Sequence, residues 1–165
     1  MDILSALSGE HGPLRHLLDA LRLSSPQLSA GELRAATLLA AEAIESHAKL
    51  EDELLFEPLA ASGRMPDGPV EAMRAEHARI ESLFGQLLAP ADEPGRPDPQ
   101  RTVGLLVETV RHHFSHEENA LFPLAAGALG PGLRADLGAR WARQRGVEVA
   151  FSRSAPACRL PTFQD

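Results

Sequence analysis

Six polar residues stand where a buried helical stripe calls for leucine. His47 and Glu51 are four apart, His113 and Glu117 are four apart, and single histidines at His11 and His77 complete the set. A spacing of four puts two side chains on one helix face, one turn apart. Each His-x-x-x-Glu unit therefore aims an imidazole and a carboxylate at a common point. Neutral imidazoles with carboxylates suit divalent iron, manganese or zinc. An ionised carboxylate left unpaired in an apolar interior costs several kcal/mol or takes up a proton, and a cluster of bound cations removes that cost for all six groups together. A metal-free network of His–Glu hydrogen bonds would have to satisfy every member.

The elements that position these residues are helices. Aromatic residues are 4% of the chain, tyrosine is absent, and Ala and Leu abound, which favours helix over strand. Turn and cap signals divide the sequence. A first helix is predicted from about Asp2 to Leu23, ending in Ser24-Ser25-Pro26. A second opens with the capping box Ser29-Ala30-Gly31-Glu32 and fades at Ser62-Gly63. The third begins with Pro69 after Asp67-Gly68 and ends at Ala89-Pro90. Four prolines between Pro90 and Pro99 mark a loop. Asp98 then caps a fourth helix, with Pro99 in its first position, reaching about Ala126. Pro13 removes the bond to the carbonyl of Gly9, so the first helix is expected to kink there or to start afresh near Gly12.

Each helix carries a stripe of alternating three- and four-residue spacing, as a bundle requires. The first stripe is Leu4, Leu7, His11, Leu14, Leu18 and Leu21. The second is Leu33, Thr37, Ala40, Ile44, His47, Glu51 and Leu54, and the third Val70, Met73, His77, Ile80, Phe84 and Leu87. The fourth is Val103, Leu106, Val110, His113, Glu117, Ala120 and Leu124. The expected architecture is an all-α, up-down-up-down four-helix bundle over residues 1–128. An extension follows over 129–165, with a short helix from Pro131 to Arg145 and a weakly ordered tail.

The two halves repeat. His11 and His77, His47 and His113, and Glu51 and Glu117 are each separated by 66 residues. Glu10 recurs as Glu76, Glu42 as Glu108, and Leu55-Phe56 as Leu121-Phe122, whereas Pro58 and Pro123 recur with a slip of one. Two such helical hairpins would pack about a pseudo-two-fold axis and bring both His-x-x-x-Glu turns to the same depth. The other histidines have no repeat partner: His112 corresponds to Ser46, His116 to Leu50, and His16 to Ser82. His112 points about 100° from His113 and His16 about 140° from His11, so both are expected at the surface. His116 lies nearer the stripe, where it would support the ligands from outside or, as expected, be solvated.

Bulk properties narrow the function. With 23 acidic against 16 basic residues, the net charge of −7 repels a phosphate backbone, which disfavours nucleic acid. No basic stretch opens the chain and no apolar run approaches the ~18 residues of a membrane span, so a cytoplasmic, membrane-free protein is expected. The single cysteine, Cys158, allows no internal disulfide, leaving His and carboxylates as metal ligands.

From about Asp2 to Ala126 the chain resembles the hemerythrin-like (HHE) family of bacteria. The order His11, His47-Ala48-Lys49-Leu50-Glu51, His77, His113-Phe114-Ser115-His116-Glu117 is similar to the family's H…HxxxE…H…HxxxE pattern, and Leu121-Phe122-Pro123 fits its LFP element. The resemblance implies two iron ions, oxo- or hydroxo-bridged, with both glutamates bridging. It also implies chemistry with dioxygen, nitric oxide or peroxide. Oxygen-carrying members have a fifth histidine four residues after that of the third helix. Here Glu81 holds that place, and as a ligand it would make the site more anionic and favour the ferric state.

No residue is assigned a catalytic role. Three function classes fit: a sensor or carrier of a small diatomic ligand, a peroxide-decomposing enzyme, and an iron store or interaction module whose acidic surface and extension serve a protein partner or homodimer. A ferritin-like oxidase would need Glu-x-x-His pairs, which are absent from these positions. Ligand access is expected near the first and third helices, past Leu14, Ile80 and Phe84.

Overall fold

A computed structural model of the chain describes residues 1–65, 68–91 and 93–147. The expected weakly ordered tail and Cys158 lie outside these residues. Among the described residues every regular element is helical.

Helix α1 (Ile3–Ser24) starts at Asp2, whose side chain accepts from the Leu4 N–H at 2.9 Å. It runs unbroken through Pro13, so the helix does not start afresh at Gly12. A 3-10 turn (Ser25–Gln27) leads to α2 (Ala30–Glu51), where Ser29 and Glu32 form the expected capping box. After α4 (Gly68–Leu88), the Arg96 guanidinium donates to the Leu87 carbonyl at 2.9 Å and closes that helix end. Asp98 caps α5 (Pro99–His116) through the Arg101 N–H at 2.7 Å.

Two of the four expected helices are not uniform. Beyond α2 the chain widens into a π-helical turn, Asp52–Phe56, before α3 (Glu57–Ser62). Beyond α5 it does so again at Glu117–Leu121, before α6 (Phe122–Ala128). In these turns the Glu57 N–H reaches Asp52 O and the Phe122 N–H reaches Glu117 O, five residues back. Pro58 and Pro123 follow immediately. Each lacks the N–H for a four-back bond, and its ring would press on the carbonyl four residues earlier. The widened turn relieves that conflict.

The extra residue also rotates the stripe. Leu54, Leu55 and Phe56 are consecutive and all fully buried, and in the second copy Leu121, Phe122 and Ala125 face inward. Leu124, expected in the fourth stripe, is 49% exposed, and Ala120 is only half-buried. The simple period fails there because the π turn shifts the phase. The remaining stripe residues are buried as expected, except His77, which is half-buried.

The four long helices pack in a closed cycle, α1 on α2, α2 on α4, α4 on α5 and α5 on α1. Two apolar clusters fill the interior. One gathers Ile3, Leu7, Leu54, Phe56, Met73 and Leu121 at the end with the π turns; the other gathers Leu18, Ile44, Phe84, Leu106, Val110 and Phe114. The polar residues lie between them. Helix α7 (Pro131–Gln144) packs on α1 and puts Leu137, Trp141 and Ala142 into the first cluster. Gly138 permits that approach, because a Cβ there would run into the backbone of Met1 and Asp2.

Candidate metal centre

The helix cycle brings all six expected polar residues to one depth. His11, His47, Glu51, His113 and Glu117 are at most 2% exposed, and the side chain of His77 is 14% exposed. All four Nε2 atoms point inward. His47 Nε2 lies 2.9 Å from Glu51 Oε1, His11 Nε2 lies 3.3 Å from Glu117 Oε2, and His77 Nε2 lies 3.3 Å from Glu51 Oε2. His77 Nε2 and His113 Nε2 approach to 3.0 Å. Yet His11 Nε2, His47 Nε2 and all four carboxylate oxygens of Glu51 and Glu117 have no hydrogen-bond partner. Buried polar atoms are almost always paired, so these aimed, unpaired donors fit a cation held among them. Their atoms fall into two overlapping groups, His11, His47, Glu51 and Glu117, and Glu51, His77, His113 and Glu117, each drawn within 4.8 Å. Both glutamates belong to both groups.

Carboxylates fix the outer nitrogens of three rings, setting tautomer and ring orientation as around bound metals. His47 Nδ1 lies 2.7 Å from Glu10, His113 Nδ1 lies 2.9 Å from Glu76, and His11 Nδ1 lies 2.7 Å from Glu118. Glu10 is itself gripped from α7 and the residue after it. Arg145 donates to both of its oxygens at 2.7 Å, and the Trp141 indole N–H donates at 2.8 Å. The sequence reading missed this contribution because the extension shows no motif. The one tryptophan in the chain was the available signal, since a buried indole N–H needs an acceptor. His116, expected to be solvated, keeps a partly exposed side chain and also bonds Glu76 through Nδ1 at 2.9 Å. His16 and His112 are exposed, as expected.

Electrostatics differ around the cluster. Burial works against a charged His11, but the nearby carboxylates of Glu117 and Glu51 and the bonded Glu118 overcome it and raise its pKa to about 9. His47 likewise rises to about 10, burial being outweighed by Glu51 and Glu10. Burial dominates at His113, which drops to about 4. Glu117 is pushed up to about 8 by burial and by the charge of Glu51, while the surrounding histidines hold Glu51 well below the usual carboxylate range against its own burial. Glu10 is half-buried, which works against its charge, yet His47 and Arg145 hold it down at about 2.

A cavity of about 360 Å³ reaches the cluster between α2 and α4, lined by Ile44, Ala48, Asp52, His77, Ile80, Glu81 and Phe84 among others. Leu14 lies instead at a separate cavity with Trp141 and Arg145. Access is thus beside the second and third long helices rather than the first, because Phe114 stacks on His11 at 4.0 Å and fills the α1 side. Glu81 is exposed on the cavity wall and belongs to neither ligand group.

A helical bundle with a buried His/Glu cluster belongs to the class of bundle proteins that bind cations between facing helices. The hemerythrin HHE cation-binding domain matches residues 2–125, and the chain belongs to that family. No curated protein and no solved structure matches it. Among the described residues no helix is long and apolar enough to cross a membrane.

Proposed function

We propose that the cluster holds two iron ions and that the protein binds or reacts with a small ligand there: dioxygen, nitric oxide or peroxide. His11 and His47 would hold one ion, His77 and His113 the other, with Glu51 and Glu117 shared. The carrying observation is that the two ligand groups overlap in both glutamates while six of their atoms lack any other partner. The short connection after α1, with the closed packing cycle, supports an up-down-up-down path over residues 1–128.

Bound iron would supply redox electrons and an open coordination position. The chain supplies the rest. Glu10, Glu76 and Glu118 fix three imidazoles, the apolar clusters exclude water above and below, and the cavity at His77 admits a ligand of a few atoms. Ile80 and Phe84 make part of its wall apolar, which suits an uncharged diatomic. Glu81 stands at the wall, placed to influence access and charge rather than to complete the ligand set.

Metal analysis and stopped-flow spectra test this. Purified protein should carry close to two irons, with near-ultraviolet absorption of bridged ferric ions, and His47→Ala or Glu117→Ala should lose both. Full iron occupancy in those variants would rule out the ligand assignment. Mixing with nitric oxide and peroxide separates the readings: a stable adduct marks a sensor or carrier, and catalytic oxygen evolution marks a peroxide-decomposing enzyme. An iron-loaded protein inert to both would leave only storage.

A further inference from the structure

The 66-residue repeat pairs Glu10 with Glu76 and Ser46 with His112. In the first half a cation sits on this pair. The Arg145 guanidinium donates to both oxygens of Glu10 and, at 2.6 Å, to the Ser46 hydroxyl. Among the described residues no arginine is bonded to the equivalent place in the second half. Glu76 there faces His116 at 2.9 Å, and His112 lies one turn before His116 on α5, their ring centroids 6.1 Å apart. One ligand atom from each of Glu76, His112 and His116 can be drawn within 4.8 Å.

We propose that Glu76, His112 and His116 form a separate divalent-cation site of the zinc class, standing where the Arg145 guanidinium stands in the other half. Two imidazoles at a four-residue spacing, joined by a carboxylate from the facing helix, make a three-ligand set that leaves a fourth position for water. The His116 side chain is 40% exposed and that of Glu76 21% exposed, so a hydrated ion reaches them without unfolding. Glu76 would keep one oxygen on His113 Nδ1 and turn the other to the cation. The outer ion would then be linked to the inner centre through one carboxylate, as Arg145 is linked to His47 through Glu10.

Isothermal titration of Zn2+ into protein whose centre is already saturated with iron tests the site, with iron content measured before and after. Wild type should take up one further equivalent with micromolar affinity and retain its iron. His112→Ala and His116→Ala, both changes at solvent-accessible positions, should weaken that equivalent by roughly tenfold or more with the iron count unchanged. His16→Ala should match wild type. Absence of zinc uptake beyond the centre overturns the proposal, as does wild-type affinity in His112→Ala. Zinc uptake matched by iron loss would place the zinc in the inner centre and overturn it as well. Failure to load iron at all would count against the inner ligand assignment instead, and titration of the metal-free protein would then still separate a His112-dependent zinc from any other.

Discussion

His11 and His77 are the same residue in two copies of one hairpin, yet one is sealed and the other open. Around His11 stand Phe114, stacked at 4.0 Å, Glu118, bonded at 2.7 Å, and Arg15, which bonds Glu118 and lies over the Phe114 ring. Sixty-six residues away, the matching positions around His77 are Ala48, Asp52 and Glu81. Alanine leaves the ring face uncovered, and aspartate is one methylene shorter than glutamate. Glutamate in place of arginine removes the cation that would tie the wall together. All three line the cavity. Phe122 on His11 and Phe56 on His77 keep the symmetry intact on the opposite side. The duplication thus supplies paired ligands, and three side-chain differences decide which half a small molecule can reach.

The largest expected effect comes from unsealing the closed half. Phe114→Ala removes a side chain that is 1% exposed, and such a truncation typically costs about 3–5 kcal/mol. The variant should melt at markedly lower temperature and, where still folded, admit ligand at His11, giving nitric oxide binding in two kinetic phases instead of one. A single unchanged phase in a folded, metal-loaded variant would mean that Phe114 does not gate that side.

The converse change closes the open half. Ala48→Phe places a ring where Phe114 stands in the other copy, into space that already exists, so the usual overpacking cost of about 1–3 kcal/mol should be largely avoided. Association of nitric oxide or peroxide should slow by about tenfold or more, equivalent to about 1.4 kcal/mol of barrier, with two irons retained. Stopped-flow traces at wild-type rate would place the access route elsewhere.

Much of this was legible in the sequence because helical period and burial obey one geometry. The cap at Ser29, the cap at Asp98 and the stripes from Leu4 to Leu21 and Leu33 to Glu51 follow from spacing and hydrogen-bonding chemistry alone, and so does convergence of the six polar residues. Leu124 was misplaced because a proline can be accommodated by widening the preceding turn as well as by breaking a helix, and the stripe carries no mark of which occurs. The grip of Trp141 and Arg145 on Glu10 was illegible for another reason: it joins residues more than 130 apart in sequence, outside any repeat. The cavity is a difference between copies, readable only once the pseudo-two-fold pairing shows that Ala48 faces His77 as Phe114 faces His11.

The smallest expected effect sharpens the comparison electrostatically, in protein stripped of metal. His11 and His47 have raised values, about 9 and about 10 against 6.5, so the folded chain holds their protons more tightly than the unfolded chain. Their contribution to stability is fully present below about pH 6.5 and is lost as the pH climbs through 9 and 10. Glu117, raised to about 8 from 4.5, acts in the same direction over a lower window, from about pH 4.5 to 8. His113, lowered to about 4, does the opposite, since its folded form resists protonation and destabilises the protein as pH falls from 6.5 towards 4. Metal-free protein should therefore lose melting temperature between pH 6.5 and 10. His47→Gln should flatten that decline and His113→Gln should leave it in place. With metal bound in place of those protons the decline should be absent, and metal uptake at pH 7 should release protons, measurable by titration calorimetry in buffers of different ionisation enthalpy. Equal flattening by both substitutions would show that the two halves share one proton pool and differ only in shape.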